Sequence, residues 1–260
     1  LPDLGESQHS ELHQQIDTRK LFCKCASVLR NDECDLVVKR KLHKVAGEGG
    51  KVDSAVEYEH GLNKTFAYQY YSDNNCLIEL DESPPEMINM EALDIALQIS
   101  LLLNCEIYQN TQIMRKMVID GSNTSGFQRT VLFAHSGFVE TSFGRVPIAS
   151  VALEEDSARP GEEGEKDENV RTWKLDRLGI PLIEIATGVV EVVPEQIKEA
   201  ALKIGEVLRA CRVKRGIGTI RQDVNVSVRG HERVEIKGFQ DPSMMVKTID
   251  IEIARQLKDV

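Results

Sequence analysis

The most regular hydrophobic pattern in the chain is an alternation of apolar and polar side chains between residues 219 and 228. The apolar positions are Ile220, Val224, Val226 and Val228, and Gln222 interrupts the row. A period of two is typical of a β-strand that has one buried face. Residues 229–232 then predict a short turn, after which Val234 and Ile236 resume the apolar row. The stretch 216–240 therefore predicts a β-hairpin.

The opposite face of this hairpin carries an unusually specific set of side chains. They are Arg221, Asp223, Asn225, Glu235 and Lys237. Such a set can hold phosphate oxygens and divalent cations, whereas a merely solvated face would carry interchangeable Thr, Lys and Glu. Antiparallel sheets often expose one polar face to water, so a solvated face and a ligand-binding face both remain open as interpretations.

Helical spacing of apolar residues predicts three helices. Asn89 can cap a helix over 90–104, Pro194 can start one over 195–210, and Asp241 with Pro242 can start a last one that runs to the chain end. The expected core faces are Leu93, Ala96, Leu97, Ser100 and Leu101 in the first helix, Ile197, Ala201, Ile204 and Leu208 in the second, and Val246, Ile249, Ile253 and Leu257 in the third. The amphipathic end leads us to expect a continuation into a longer protein.

Other segments have the composition of strands or loops. We expect strands at residues 66–70, 77–80, 131–153 (with breaks at Gly137 and Gly144) and 182–185. Residues 114–130 are rich in Gly, Ser, Asn and Thr and predict a loop. Such loops are often functional, although this one lacks the spacing of a P-loop.

Composition is that of a soluble globular protein, with 41% hydrophobic and 28% charged residues in a chain of 260. This length is enough for one large domain or two smaller ones. No apolar run approaches the ~18 residues of a membrane span, so we expect a cytoplasmic protein without membrane association. The net charge of -10 argues against nonspecific nucleic-acid binding by this piece alone.

The six cysteines are scattered and do not resemble a disulfide framework, so we expect reduced thiols. Cys23 and Cys25 are closer together than the thiols of a typical zinc-knuckle half, and no second cysteine pair follows at ligand spacing. A closed tetrahedral site needs at least two more ligands, and Cys34 is the only thiol nearby in the sequence. We therefore predict that Cys23 and Cys25 do not bind zinc.

Glu11 and His13 are the first candidate site residues. On a strand they point to the same face, and a pair with this spacing can share one cation. The alternative interpretation is a surface Glu beside a His that is satisfied by other hydrogen bonds.

Further carboxylates stand in positions that require a partner. Glu154, Glu155 and Asp156 are consecutive, and their mutual repulsion is costly unless a cation or solvent relieves it. Glu184 stands between two isoleucines, and a carboxylate in such surroundings needs a partner. The candidates are a cation, Arg177 or Lys237.

Several strings of the chain resemble a known family, the archaeal E-type subunit of glutamyl-tRNA(Gln) amidotransferases (the GatB/GatE family). The strings are ELHQQ at 11–15, KLFCKC at 20–25, ELDESPP at 79–85, VIDGSNT at 118–124, FQRT at 127–130, LEED at 153–156, and the runs 176–184 and 216–237. They occur in order along the chain. The DGSNT string and the missing second cysteine pair favour the archaeal E-type branch over the similar bacterial B-type branch.

The resemblance implies an α+β cradle domain over residues 1–260, with a largely antiparallel, glutamine-synthetase-like sheet and flanking helices. It implies an ATP- and Mg²⁺-dependent enzyme that converts Glu-tRNA(Gln) to Gln-tRNA(Gln). It also implies a partner, the D-type amidase subunit, that supplies ammonia, and a homodimer within a heterotetramer. Family members continue into an inserted domain and helical domains that bind tRNA.

The resemblance and the strand spacing together assign roles to single residues. The implied catalytic residues are Glu11, His13, Glu155, Glu184 and Lys237; the implied ATP-binding residues are Arg129, Arg221, Asp223, Asn225 and Glu235; the implied cation ligands are Glu11, His13, Glu184 and one or both of Glu154 and Glu155. Two alternatives remain open, a bacterial B-type amidotransferase and a non-catalytic scaffold that presents tRNA.

Overall fold

The computed structural model describes residues 7–41, 50–52, 54–161, 169–190, 193–228 and 230–258. These residues form a mixed α and β structure with mostly antiparallel strands. In chain order the elements are β1 (Ser7–Gln15), β2 (Leu36–Arg40), α1 (Ser54–Gly61), β3 (Thr65–Tyr70), α2 (Met90–Leu102), β4 (Glu106–Ile107), β5 (Ile113–Met117), β6 (Phe127–Thr141), β7 (Gly144–Glu155), β8 (Arg159–Pro160), β9 (Val170–Lys174), β10 (Pro181–Thr187), α3 (Pro194–Ala210), β11 (Ile220–Ser227), β12 (Val234–Phe239) and α4 (Pro242–Gln256).

The strands of the described residues form two sheets. The larger has eight strands in the order β12-β11-β1-β10-β7-β6-β4, with β5 also paired to β6. All of its pairings are antiparallel. The smaller sheet has the order β2-β3-β9-β8, in which β3 and β9 are parallel. Strand β1 therefore lies inside the larger sheet, between β10 and β11.

The larger sheet buries one face against helices. Leu12 of β1, Ile183 of β10 and Leu153 of β7 are fully buried in one cluster with residues of α2 and α3. Helix α4 packs through Ile249 and Ile253 on the apolar row of β11. Because side chains alternate along a strand, residues next to these apolar ones point to the other face of the sheet.

The three helices and the hairpin predicted from the sequence are present, but α4 ends at Gln256 and Leu257, which was predicted in its core face, is 40% exposed. Asn89 caps α2, since its side chain accepts from the backbone N–H groups of Glu91 and Ala92, and Asp241 caps α4 in the same way. The core face predicted for α3 is buried. The turn predicted at 229–232 includes Arg229, which lies outside the described residues.

The predicted core face of α2 is confirmed at Ala96 and Ser100 but not at its leucines. The buried residues are Ala92, Ile95, Ala96, Ile99 and Ser100. Leu101 is 65% exposed, and Leu93 and Leu97 are only partly buried. This helix is apolar on more than one face, so the spacing of its apolar residues does not decide which face turns inward.

Two predicted segments differ from the structure. Residues 77–80 form a turn instead of a strand, because Glu79 accepts a hydrogen bond from the backbone N–H of Cys76 and Glu82 donates back to the carbonyl of Leu77. Residues 114–130 are not one loop, since Ile113–Met117 and Phe127–Thr141 are paired strands. β5 is an edge strand in which two apolar residues are followed by two charged ones, so it has no alternation that the sequence could reveal.

A break at Gly137 was predicted, but β6 continues through this residue. A Cβ at this position would lie 2.3 Å from Sγ of Cys105 and 2.5 Å from the carbonyl oxygen of Leu103. Glycine therefore permits the close approach of the chain after α2 to a continuous strand.

Among the helices of the described residues, none combines the length and the apolar character needed to cross a membrane.

Candidate functional site

An open pocket of about 450 Å³ lies over the polar face of the larger sheet, and Pro160 and Trp173 of the smaller sheet complete its wall. Its charged lining residues are Glu11, His13, Lys116, Asp120, Glu154, Asp156, Arg177, Arg221, Asp223 and Lys237. Carboxylates and cationic groups thus face one space. Such a lining suits a ligand that combines anionic oxygens with a divalent cation.

Strand register creates a cluster of three possible cation ligands at this pocket, and two of them, His13 and Glu154, line it. His13 stands directly opposite Glu184 across the β1–β10 pairing, and its Nε2 lies 3.0 Å from Oε2 of Glu184. Glu154 of β7 lies beside them. One donor atom of each of the three residues lies within 4.8 Å of the others. An imidazole nitrogen and two carboxylates fit a divalent cation such as Mg²⁺ or Mn²⁺.

Lys116 of β5 reaches the same cluster. Its Nζ lies 3.6 Å from Oε1 of Glu154 and 3.5 Å from Oε2 of Glu184, and its side chain is 56% exposed. The ammonium group therefore compensates the two carboxylates from the solvent side. From the sequence, Lys116 could be interpreted only as a charge on a loop near a phosphate, and its place at this cluster was not predicted because residues 113–117 were not recognised as a strand.

The pKa values in the cluster move in different directions. Burial raises the pKa of Glu154, and the nearby charge of Glu184 adds to this effect. Burial would also raise the pKa of Glu184, but the hydrogen bond with His13 and the charge of Lys116 outweigh it and lower the value. Burial would lower the pKa of His13, yet the hydrogen bond with Glu184 raises it above 6.5. The hydrogen bond between His13 and Glu184 therefore favours the charged forms of both groups.

Glu155 lies on the other side of the sheet from this cluster. Its Oε1 accepts from Nη1 of Arg129 at 2.9 Å, next to a small cavity lined by Lys20, Phe22 and Glu79. Burial raises the pKa of Glu155, although the charge of Arg129 acts against this. Consecutive residues on a strand point to opposite faces, so Glu154 and Glu155 do not share one site. Of these two predicted ligands, Glu154 belongs to the cluster and Glu155 does not, and Arg129 lies outside the pocket lining.

Asp156 anchors the cationic side of the pocket. This buried carboxylate accepts from Nε2 of Gln15 at 2.7 Å and from Nη2 of Arg221 at 3.1 Å. Nε of Arg177 lies 3.6 Å from it, and the same guanidinium donates to the carbonyls of Ser157 and Ala158. Asp156 and Arg177 were not among the predicted site residues, although the acidic run 154–156 was a signal for the first.

The hairpin supplies only part of its polar face to the pocket. Arg221, Asp223 and Lys237 line it, and Asp223 also accepts from the backbone N–H of Gly238 at 2.8 Å. Lys237 is 70% exposed and lies 3.1 Å from Glu235. Asn225 stands opposite Glu235 in the β11–β12 register, and neither residue belongs to the lining. Three of the five predicted residues of the hairpin therefore line the pocket, and the other two lie outside its lining.

Glu11 lies on the pocket face beside the cluster. It stands opposite Asp223 in the β1–β11 register, and its Oε1 lies 3.8 Å from Nε2 of His9. Within the described residues it does not belong to the tight group of His13, Glu154 and Glu184. Its carboxylate extends the acidic lining by one row of the sheet.

The loop between β5 and β6 closes one wall. Asp120 accepts from the backbone N–H and the hydroxyl of Ser122, and both residues line the pocket. Gly121 has a φ of +83°, and a Cβ there would lie 2.2 Å from the ring of Phe66. Glycine is required at this position for both reasons.

Comparison with known proteins connects this pocket to a family. Residues 10–260 match the family model described as the GatB/GatE catalytic domain. A relative from Methanocaldococcus jannaschii, named as the E-type subunit of glutamyl-tRNA(Gln) amidotransferase, is 50% identical over 249 residues, which are 95% of this chain and 39% of the relative. The protein of the same name from Methanothermobacter thermautotrophicus is 48% identical over 256 residues, or 98% of this chain and 41% of the relative. The chain thus spans about two fifths of these relatives.

The ion pair of His13 and Glu184 has a defined pH window in the metal-free protein. The raised pKa of His13 gives stability that is fully present below 6.5, its ordinary value, and is lost as the pH rises through the raised value. The lowered pKa of Glu184 gives stability that is present above 4.5 and is lost as the pH falls through the lowered value. The pair therefore contributes most between these two ordinary values.

We predict that NMR titration of chelator-treated protein gives His13 a pKa above 6.5, and that Glu184→Gln lowers it because burial then acts with less opposition. Glu235→Gln is the control, since Glu235 lies outside the cluster. A His13 pKa that does not respond to Glu184→Gln would contradict the pairing.

Proposed function

Since the chain belongs to the GatB/GatE catalytic domain family, we propose that its pocket is the amidation centre of a glutamyl-tRNA(Gln) amidotransferase. The observation that carries this proposal is that His13 and Glu154 line one open pocket together with Arg221, and that Glu184 joins them through its 3.0 Å contact with His13. The pocket thus offers a cation site and an anion site to the same ligand. The relatives from Methanocaldococcus jannaschii and Methanothermobacter thermautotrophicus are named as the E-type subunit, which favours this branch over the bacterial B-type one.

The proposed reaction has two steps. The side-chain carboxylate of the glutamyl group on Glu-tRNA(Gln) attacks the γ-phosphorus of ATP, which gives an acyl phosphate and ADP. Ammonia then attacks the acyl carbon, phosphate leaves, and the ammonium nitrogen loses a proton to give Gln-tRNA(Gln). Phosphorylation is required because an oxide or hydroxide is a poor leaving group for direct amidation. In the first step, negative charge lies on the oxygens of the transferred phosphoryl group and of ADP, and the pocket must stabilise this charge.

The chain's own residues divide this task. His13, Glu154 and Glu184 would hold Mg²⁺, which neutralises charge on the phosphate oxygens when bound. Arg221 points donors towards the transferred phosphoryl group, and Asp156 fixes its orientation through a 3.1 Å hydrogen bond. Lys116 adds a positive charge that could move towards the phosphate, because its contacts to the two carboxylates are 3.5 and 3.6 Å long and its own side chain is 56% exposed. Glu11 extends the acidic lining towards the substrate.

The wider assembly is part of the same proposal. The names of the relatives support an enzyme of several different subunits, and we propose that a D-type amidase subunit supplies ammonia to a homodimer within a heterotetramer. The domain would have the cradle shape and glutamine-synthetase-like sheet of its family. The mostly antiparallel larger sheet is compatible with this architecture. The alternative of a non-catalytic scaffold predicts that pocket variants keep full activity of the complex.

Glu184→Gln tests the cation site. We predict that it lowers turnover of the full-length enzyme complex by ~10²-fold or more, because one ligand and the partner of His13 are lost together. The measurement is ATP-dependent formation of Gln-tRNA(Gln) with ammonium chloride as nitrogen source, so that the amidase partner is not limiting. Glu235→Gln should retain near-normal turnover. Equal activity of both variants would support the scaffold instead.

A second pair of variants separates an anchored cation from an exposed one. We predict that Arg221→Ala lowers kcat by ~10²-fold or more, since the group acts on charge that develops in the transition state. Lys237, for which the family resemblance implies a catalytic role, should matter much less: its side chain is 70% exposed and already pairs with Glu235, so we expect a small effect of Lys237→Ala. Thermal melts establish that both variants are folded. Unchanged kcat in folded Arg221→Ala would remove this guanidinium from the mechanism.

A further inference from the structure

Two guanidinium groups of the pocket share one carboxylate. Oδ1 of Asp156 lies 3.1 Å from Nη2 of Arg221 and 3.6 Å from Nε of Arg177. Arg221 belongs to β11, whereas Arg177 belongs to the turn between β9 and β10, and both residues line the pocket. The second oxygen of Asp156 is occupied, because it accepts from Nε2 of Gln15 at 2.7 Å. One negative charge therefore faces two positive charges.

Backbone oxygens hold the side chain of Arg177 in place. Its Nε donates to the carbonyl of Ser157 at 2.7 Å, and its Nη2 donates to the carbonyl of Ala158 at 3.0 Å. Within the part of the chain that the structure describes, Nη1 makes no hydrogen bond, and the side chain is 20% exposed. The donors of Nη1 thus remain available to a ligand in the pocket. Arg177 is oriented before such a ligand binds.

The carboxylate next to Arg177 in the sequence is committed to another partner. Asp176 is fully buried, and its Oδ2 lies 2.6 Å from Nη2 of Arg159. Its hydrogen bond with Arg177 comes from the backbone N–H and not from the guanidinium. Burial lowers the pKa of Arg177, the charge of Asp156 opposes this effect, and the charge of Arg221 adds to it. An anion between the two guanidinium groups would relieve their repulsion.

The surroundings of Arg177 indicate which part of a ligand it meets. Arg221 stands opposite His13 in the β1–β11 register, so it lies beside the cation cluster. Arg177 instead contacts Ala158, which lines the pocket two residues before Pro160 of the smaller sheet. A chain of phosphates that begins at the cluster and Arg221 would therefore reach Arg177 next.

We propose that Arg177 is a second anion-binding residue of the pocket and holds the phosphates of ATP that are not transferred. The assignment rests on the proposed function, which places the transferred phosphoryl group at Arg221. It gives the two guanidinium groups different tasks. Arg221 acts on charge that develops in the transition state, whereas Arg177 binds groups that keep their charge until ADP forms. Interactions of the second kind lower KM without raising kcat.

Steady-state kinetics of the full-length enzyme complex separate the two tasks. With ammonium chloride as nitrogen source, Arg177→Ala should raise the KM for ATP by ~10- to 100-fold, which is the usual worth of a hydrogen bond to a charged group, and should change kcat much less. Arg177→Lys keeps the charge but loses the planar fork, so it should raise this KM by a smaller factor.

Arg145→Ala is the matched control for these variants. The Arg145 side chain is 66% exposed, pairs with Glu140 and lies outside the pocket lining. Its removal changes the net charge of the chain by the same amount as Arg177→Ala. Both KM and kcat should therefore stay at the values of the parent enzyme.

Equilibrium binding of ADP with Mg²⁺ to the full-length chain gives a readout that does not depend on turnover. ADP carries the phosphates assigned to Arg177 but lacks the transferred one, so Arg177→Ala should weaken its affinity by ~10- to 100-fold. Thermal melts establish that the variant is folded. If the loss of the two carbonyl contacts unfolds Arg177→Ala, Arg177→Lys takes its place, with weaker ADP binding expected again.

Different results would overturn the assignment and the proposed function. Equal ADP affinity in the parent chain and in the folded Arg177 variant would overturn the assignment alone. A rise in KM that is confined to Glu-tRNA(Gln) would also overturn it, because Arg177 would then bind a phosphate of the RNA. A parent chain that binds no ADP would contradict the proposed function itself, and the assignment would fall with it.

Discussion

The register of β1 against its two neighbours is the constraint on which the pocket depends. His13 stands opposite Glu184 on one side and opposite Arg221 on the other. A slip of one residue in either pairing would send His13 into the apolar layer and bring Leu12 to the pocket. The buried face prevents this slip, because Leu12 and Ile183 are held against the helices. Packing on one face of the sheet thus fixes chemistry on the other.

The three consecutive carboxylates at the end of β7 and just after it lie in three different environments. Glu154 joins the cation cluster, Glu155 turns to the opposite face and pairs with Arg129, and Asp156 holds Arg221 at the pocket wall. Mutual repulsion of three consecutive carboxylates is relieved by this separation, since each has its own partner. The neighbourhood of the pocket consequently contains both an acidic cluster and an oriented guanidinium, the combination on which the proposed phosphoryl transfer relies.

Sequence reasoning identified the elements with strong local signals. The caps at Asn89 and Asp241 and the alternation of β11 are local features, and the structure contains all three. It also predicted that Glu11 and His13 share a face, because that follows from strand geometry alone. It missed Lys116, since β5 is a strand only through its pairing with β6. It also missed the contact of Cys76 with Cys23, because these two segments are far apart in the sequence and meet only in the folded chain.

Anomalous scattering from Mn²⁺ tests the central claim most directly. Crystals of the full-length protein soaked with Mn²⁺ should show an anomalous peak between His13, Glu154 and Glu184, with Nζ of Lys116 displaced from its position 3.5 Å from Glu184. Such a peak would establish that the strand register builds a cation site. A peak elsewhere in the pocket, or a cluster that keeps its His13–Glu184 and Lys116 contacts without any bound Mn²⁺, would contradict the account.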